Sequence, residues 1–312
     1  MICNLQHQPV LVEEVSAFLA CKPGGTYMDC TVGEGGHAIH ILEESAPDGR
    51  LIGLDVDREV LALAERRLLD YSGRYTLLHD NFKNLPGILS SLKIHQVSGI
   101  LGDLGLSSFQ LDSSTRGFSF AVEAPLDMRM DPRLTVTAAD LINTLSQNEI
   151  EKLLWNFADE RWAKSIARAV LTYRQKRPIT TTTELKEIVL DAVPTGKRQK
   201  IHPATRTFQA LRIAVNRELE NLDRFITDAV DALEAGGRLV IISFHSLEDR
   251  VVKKTFQHLA QACICPPDFP VCKCVKKKTV DILTRKPVVP GEEEIRLNFR
   301  SRSAKLRALK KL

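Results

Sequence analysis

Between residues 25 and 104 the chain alternates short apolar runs with stretches of helical period, and nothing else in its 312 residues limits the fold so strongly. The apolar runs occupy 26–31, 51–55, 75–78 and 98–103, each too short for a helix and separated by about one helix length. Between them, 37–45 and 58–70 carry apolar residues at helical spacing, with Leu61, Leu63, Ala64 and Leu68 on one side of the second. Strands that alternate with helices in this way form a parallel sheet wound by crossover connections. From Ala138 the period changes. Leu141, Leu145, Ile150, Leu153, Leu154, Phe157, Ile166, Val170 and Leu171 recur at three and four, and no strand candidate follows until Leu239. Thr180 to Thr183 before Glu184 predict a helix start with Thr183 or a neighbour as cap. A long helix is expected to carry Phe208, Leu211, Val215, Leu219 and Leu222 on one stripe. After Gly236 and Gly237, residues 238–243 restore a buried strand, so a helical insertion interrupts the sheet.

Composition excludes several classes. At 44% hydrophobic and 26% charged residues the chain is neither disordered nor fibrous. Its densest apolar cluster, 239–242, is far too short to cross a bilayer, and the first residues have no basic segment of an export signal, so no membrane partner is expected. Seven cysteines without such a signal predict thiols in a reducing compartment, hence a cytoplasmic protein.

The strand ending near Asp29 runs into Thr31, Val32, Gly33, Glu34, Gly35, Gly36 and His37, and then a helix. Glycines at such a turn permit positive φ and a close approach of a ligand to the backbone. Nineteen residues past Gly36, Asp55 closes the second strand, where a carboxylate can accept both hydroxyls of an adenosine ribose. Gly33, Gly35 and Ala38 also satisfy the dinucleotide spacing, which keeps an NAD-dependent oxidoreductase as an alternative. Asp29 and Glu34, however, would repel a pyrophosphate and suit a cationic sulfonium, so S-adenosylmethionine fits the charges better. The third strand ends in His79, Asp80, Asn81 and Phe82, where a ring can cover an adenine; Phe82 can equally belong to the core.

The fourth strand leads into Gly102, Asp103, Leu104 and Gly105. Ligands of open α/β sheets bind beyond the strand ends, so Asp103 is a candidate catalytic group that could hold a hydrogen of an exocyclic amine. The fifth strand is followed by Ser243, Phe244, His245, Ser246, Leu247, Glu248, Asp249 and Arg250. Ser246 with Asp249 nearly forms a capping box, and Glu248 and Asp249 suit a helix start. That leaves His245 as a second catalytic candidate, placed to accept a proton. Phe118 and Phe120, in the loop that follows the fourth strand, could stack on an extruded base or plug a core.

Two segments are basic without balance in a chain of net charge only +4. Residues 192–217 hold six cations and no carboxylate, among them Lys197, Arg198, Lys200, Arg206 and Arg212. Residues 296–311 hold seven and none, among them Arg300, Arg302, Lys305 and Arg307. Both are candidate phosphate-binding, RNA-binding surfaces. The expected organisation is thus 1–133 as the first part of a catalytic core, 134–216 as a helical RNA-binding insertion, and 217–312 as the second part with a basic C-terminal tail. Cys263, Cys265, Cys272 and Cys274 could make a tetrahedral zinc site, but zinc motifs usually use wider C-x2-C spacing, so reduced loop thiols without metal are expected.

The stretches HQPVLVEEV, DCTVGEGGHA, GLDVD, DNF, GILGDLGLSSFQLD, RGFSF, PLDMRMD, RTFQALRIAVNREL, FHSLEDR and RSAKLR, spread from His7 to Arg307, resemble the bacterial ribosomal RNA small subunit methyltransferase H family, also called MraW. One departure is Asn298, Phe299, Arg300, where the family pattern has Asn, Pro, Arg. The resemblance implies a Rossmann-like, class I S-adenosylmethionine-dependent methyltransferase sheet with a helical insertion. It further implies methylation of N4 of a cytidine in the decoding region of 16S rRNA, on free RNA or on the small ribosomal subunit. Carried over, the cofactor contacts are Gly35, Gly36, His37, Asp55, Phe82, Asp103 and Gln110; of these, Gln110 comes from the resemblance alone. A non-catalytic rRNA-binding assembly factor is the other alternative, and the oligomeric state is left open.

Overall fold

The computed structural model describes residues 9–194, 201–265 and 273–312, which divide into two compact units, one from the chain's start to Gly105 with Asn221–Leu312, the other Leu106–Glu220. The first unit is built on seven strands: β1 (Thr26–Asp29), β2 (Arg50–Asp55), β3 (Tyr75–His79), β4 (Val97–Asp103), β5 (Leu233–Ser243), β6 (Val280–Ile282) and β7 (Lys305–Lys311). They lie in the order β3-β2-β1-β4-β5-β7-β6. The first five are parallel, and β7 runs antiparallel to both β5 and β6.

The sheet is covered on both faces, which is why its inner strands are apolar on successive residues rather than alternate ones. One face packs Met28, Ile100, Leu239 and Ile241 with residues of helices Leu85–Ser91, Leu222–Ala232 and Ser246–Ala260. The other packs Tyr27, Leu101, Val240 and Ile242 with helices Val12–Leu19, Gly36–Glu44 and Arg58–Arg67. Ile100, Leu101, Leu239 and Val240 have no exposed surface, each contributing about 2 kcal/mol of apolar burial. The strand order reverses direction between β1 and β4, so the crevice of a doubly wound sheet opens beyond their carboxyl ends. The α/β sheet interrupted by a helical segment matches the expected fold class.

Several expectations about these elements are refined. The 296–311 segment is not a tail: β7 is an interior strand of the sheet, with Leu306 and Ala308 buried on one face and Arg307 and Leu309 on the other. The long helix proposed through Phe208 and Leu222 is broken. Helix Ala204–Asn216 ends where Arg217 adopts φ 50°, and Leu222–Ala232 starts after Asn221 at φ 59°. The helix starting near Thr183 is capped by Thr181, whose hydroxyl accepts from Glu184 N at 3.2 Å while the Glu184 carboxylate accepts from Thr181 N at 3.1 Å.

The second unit is helical, with Ala138–Thr144, Gln147–Ala158, Ala163–Arg174, Thr182–Ala192 and Ala204–Asn216 around one apolar cluster that includes Ile142, Leu154, Ile166, Val170, Leu185 and Leu211. It starts at Leu106 rather than 134, because Phe118, Leu126 and Met128 are buried in this cluster. Asn216 fastens that loop, accepting from Met130 N and donating to Met128 O, both at 2.7 Å. Among the described residues no helix is long and apolar enough to cross a membrane.

A carboxyl-lined candidate active site

Three aspartates close three adjacent strands. Asp29 ends β1, Asp55 ends β2 and Asp103 ends β4, so parallel pairing brings them to one rim. The chain leaving β1 ties this rim together. Thr31 N donates to Asp29 Oδ1 at 3.1 Å, while Thr31 Oγ1 accepts from Asp103 N at 2.7 Å. Val32 N donates to Leu54 O at 2.8 Å, Gly33 N to Asp55 Oδ2 at 3.0 Å, and Asp57 N to Asp55 Oδ1 at 3.0 Å. The loop is therefore shaped by β2 before any ligand arrives. Gly35, at φ 85°, is the residue before helix Gly36–Glu44, a conformation that a side chain would strain. A Cβ on Gly36 would lie 3.1 Å from Pro9, so a side chain there would press on Pro9.

Burial raises the proton affinity of all three carboxyls. Asp29, 1% exposed, is pushed up to about 7 by burial, against the opposing Thr31 N–H and with help from the Asp55 charge. Burial likewise lifts Asp55 to about 6, although the backbone N–H groups of Asp57 and Gly33 favour its ionised form. Asp103 is raised well above the ordinary range, first by burial and then by the charges of Asp29 and Glu248. Its Oδ1 is shielded from solvent with no hydrogen-bond partner among the described residues. Its Oδ2 lies 3.7 Å from Nε2 of the buried His37, too far for a hydrogen bond. A rim of carboxyls that are costly to ionise alone is electrostatically prepared for a cation.

The remaining cofactor candidates divide between the units. Phe82 opens the short 3-10 turn Phe82–Asn84, capped by Asn81, and its half-buried ring meets Phe225 at 4.6 Å between centroids. Gln110 belongs to the helical unit, where its side chain completes a capping box with Ser107, the two bonds at 3.2 Å each.

The capping motif after β5 differs from the sequence expectation. His245, not Ser246, is the cap of helix Ser246–Ala260: its Nδ1 accepts from Glu248 N at 3.3 Å, and its Nε2 lies 3.1 Å from Glu248 Oε1. Glu248 Oε2 accepts from the N–H groups of Phe244 and His245 at 3.0 and 3.3 Å. Nδ1 of His245 is thus taken up by the helix start, while its Nε2 faces the Glu248 carboxylate. The signal was present as His-x-x-Glu, a capping box with imidazole in place of a hydroxyl.

The basic candidates are less free than their sequence suggests. Arg212 forks onto Glu218 with bonds of 2.9 and 2.8 Å, a carboxylate one residue beyond the segment read as unbalanced. Arg307, 6% exposed, donates from Nε to Asp249 Oδ1 at 2.6 Å, and Lys305 Nζ is 3.5 Å from Asp249 Oδ2. Arg206 donates to Asp159 O at 3.1 Å, Arg302 lies over the Phe299 ring at 4.1 Å, and Arg300 is exposed. Lys197, Arg198, Lys200 and Cys272 lie outside the described residues. Phe118 is buried, and Phe120 stacks on His202 at 4.7 Å and meets Phe208 edge-on at 5.0 Å, both inside the helical unit.

Comparison with known proteins agrees with this architecture. Residues 4–312 match the model of the MraW methylase family. The chain is 52% identical over 307 residues to ribosomal RNA small subunit methyltransferase H of Syntrophus aciditrophicus, covering 98% of each chain. It is 49% identical to the protein of the same name from Geotalea uraniireducens, covering 99% of each, and 49% identical to that from Heliobacterium mobile, covering 99% of this chain and all of the other. With the match running through the carboxyl-lined rim and the helical unit alike, this chain belongs to the MraW methylase family.

Proposed function

We propose that the chain transfers a methyl group from S-adenosylmethionine to N4 of a cytidine in the decoding region of 16S rRNA, acting in the cytoplasm on free RNA or the small ribosomal subunit. The observation that carries the cofactor reading is the shielded Asp103 Oδ1, an acceptor with no partner in a rim that already holds Asp29 and Asp55. Such a rim fits a donor with a sulfonium and an ammonium group and opposes a pyrophosphate, which counts against the nicotinamide alternative despite the Gly33, Gly35, Ala38 spacing. The rRNA substrate rests on the name of relatives about half identical over almost the whole chain.

When bound, S-adenosylmethionine supplies an electrophilic methyl on sulfur. The Gly35–Gly36 turn and His37 would hold it from the side of β1, Asp55 would accept its ribose hydroxyls, and Phe82 would cover its base. Gln110 completes the set by family resemblance. Asp103 would either hold the donor's ammonium or accept a hydrogen of the cytosine amine, directing the nitrogen lone pair out of the ring's conjugation. In-line transfer needs alignment more than strong base catalysis. His245, whose Nδ1 caps helix Ser246–Ala260 and whose Nε2 faces Glu248, serves in this reading to position the β5 end. Arg206, Arg300, Arg302 and Lys305 remain phosphate contacts, with Lys197, Arg198 and Lys200 added from sequence.

The test is nucleoside mass spectrometry of 16S rRNA from cells with and without the gene, followed by addition of purified protein and labelled donor to the unmodified RNA or subunit. Appearance of N4-methylated cytidine only with the protein supports the reading. Binding without transfer would leave an assembly factor instead.

A further inference from the structure

The connection between helix Ser246–Ala260 and β6 spans residues 261–279. None of its described residues is buried, and Ile264 and Val275 are 57% and 97% exposed. Its neck is pinned where Thr279 N and Oγ1 both reach Leu259 O at 3.2 Å and where Leu312 N donates to Thr279 O at 3.0 Å. At its crown, three cysteine sulfurs converge. The Sγ atoms of Cys263, Cys265 and Cys274 all lie within 4.8 Å of one another, and those of Cys263 and Cys274 are 3.6 Å apart.

That separation is far beyond a disulfide bond, about 2.05 Å. It is close to the spacing of about 3.8 Å that two thiolates adopt on one tetrahedral ion with metal–sulfur bonds of about 2.3 Å. Each sulfur also receives a backbone N–H: Ile264 N to Cys274 at 3.5 Å, Cys265 N to Cys263 at 3.3 Å, and Lys273 N to Cys265 at 3.4 Å. The chain has wrapped its peptide dipoles around the three sulfurs, an arrangement that stabilises negative charge on them. Lys273 lies between Cys265 and Cys274, and Lys276 and Lys277 follow; these can balance the charge of several thiolates on one divalent ion.

We infer that Cys263, Cys265 and Cys274 bind one thiophilic divalent cation, zinc by its preference for tetrahedral sulfur donors, and that this ion closes the crown of the 261–279 connection. The C-x-C spacing argued against zinc only if each pair had to form a wide knuckle alone; the fold instead brings one residue from the far end of the loop onto the near pair. Binding replaces three S–H bonds by three S–metal bonds and releases three protons, so it weakens as pH falls. The ion ties the two described ends of the loop together, and the inference is independent of the methyl-transfer reading.

The full-length protein, purified with reductant and without chelator, is analysed for metal by mass spectrometry, then stripped and titrated with zinc and, separately, with cobalt. One zinc per chain is expected, with sulfur-to-cobalt charge-transfer absorption and tetrahedral cobalt bands in the substituted protein. Cys263→Ser and Cys274→Ser should each weaken zinc binding by roughly tenfold or more. Cys21→Ser, far from this loop in sequence, should leave the stoichiometry at one. The inference is overturned if stripped, reduced protein takes up no zinc while circular dichroism shows it folded. It is equally overturned if cobalt gives no sulfur charge transfer, or if Cys263 and Cys274 are recovered as a disulfide from protein prepared with reductant.

Discussion

In the proposed reading Asp103 carries the chemistry; its Oδ1 has no hydrogen-bond partner among the described residues, and its neighbours show why such an acceptor is tolerated. Asp29 and Asp55 are lifted to about 7 and about 6, so near neutral pH the ligand-free rim retains protons that the unfolded chain has lost. A raised carboxyl pKa means that the folded state binds more protons between the unfolded value, about 3.9, and the folded one. Stability should therefore decline as pH rises from about 4 through about 7, opposite to the usual effect of salt-bridged carboxylates. Urea midpoints of the ligand-free protein are predicted to fall across that window by the equivalent of at most about 7 kcal/mol, and Asp29→Asn should flatten the decline. For turnover, Asp103→Asn keeps shape but replaces one acceptor oxygen by an amide donor; single-turnover methylation should slow by about 10² to 10³ with the fold intact by circular dichroism. The aspartates were legible in the sequence because each ends an apolar run. The role of Thr31 as the link between β1 and β4 was not, since it depends on pairing between residues 72 positions apart.

At the level of elements, short buried strands and amphipathic helices were readable because apolar spacing reports burial directly. β7 was not, because seven cations in its neighbourhood masked the alternation of Leu306 and Ala308 with Arg307. An interior strand can carry that arginine only because Asp249, on helix Ser246–Ala260, meets it at 2.6 Å. Burial alone would raise the Asp249 carboxyl, yet Arg307 and Lys305 hold it below its ordinary value. Asp249→Ala leaves the Arg307 guanidinium buried without its partner and should destabilise the protein by about 3 kcal/mol, read from chemical denaturation. A loss under 0.5 kcal/mol would make Arg307 available for other work, RNA included. The break at Arg217 was equally hidden, since the apolar stripe continues across it and only left-handed backbone at Arg217 and Asn221 separates the two helices.

In the whole molecule, the helical unit has its own apolar cluster, fastened from within by Asn216 and by the Arg129–Asp127 pair. Residues 106–220 expressed alone should fold, giving helical circular dichroism and a cooperative thermal transition; a gradual melt would show that the unit depends on the sheet for its structure. RNA binding by the full chain should weaken with salt at a log–log slope of about −0.7 per phosphate contacted by a single strand. With Arg212 and Arg307 committed to carboxylates, Arg206→Ala and Arg302→Ala are predicted to reduce that slope, and Arg307→Met to leave it unchanged. The central claim is that the rim formed by Asp29, Asp55 and Asp103 receives a cationic methyl donor. Calorimetric titration with S-adenosylmethionine at pH 5.5 and pH 8 tests it most directly. The account predicts one donor per chain, bound more tightly at pH 8 as the rim ionises, and lost in Asp55→Ala. Binding that is indifferent to pH and to Asp55, or uptake of NAD in place of the donor, would contradict it.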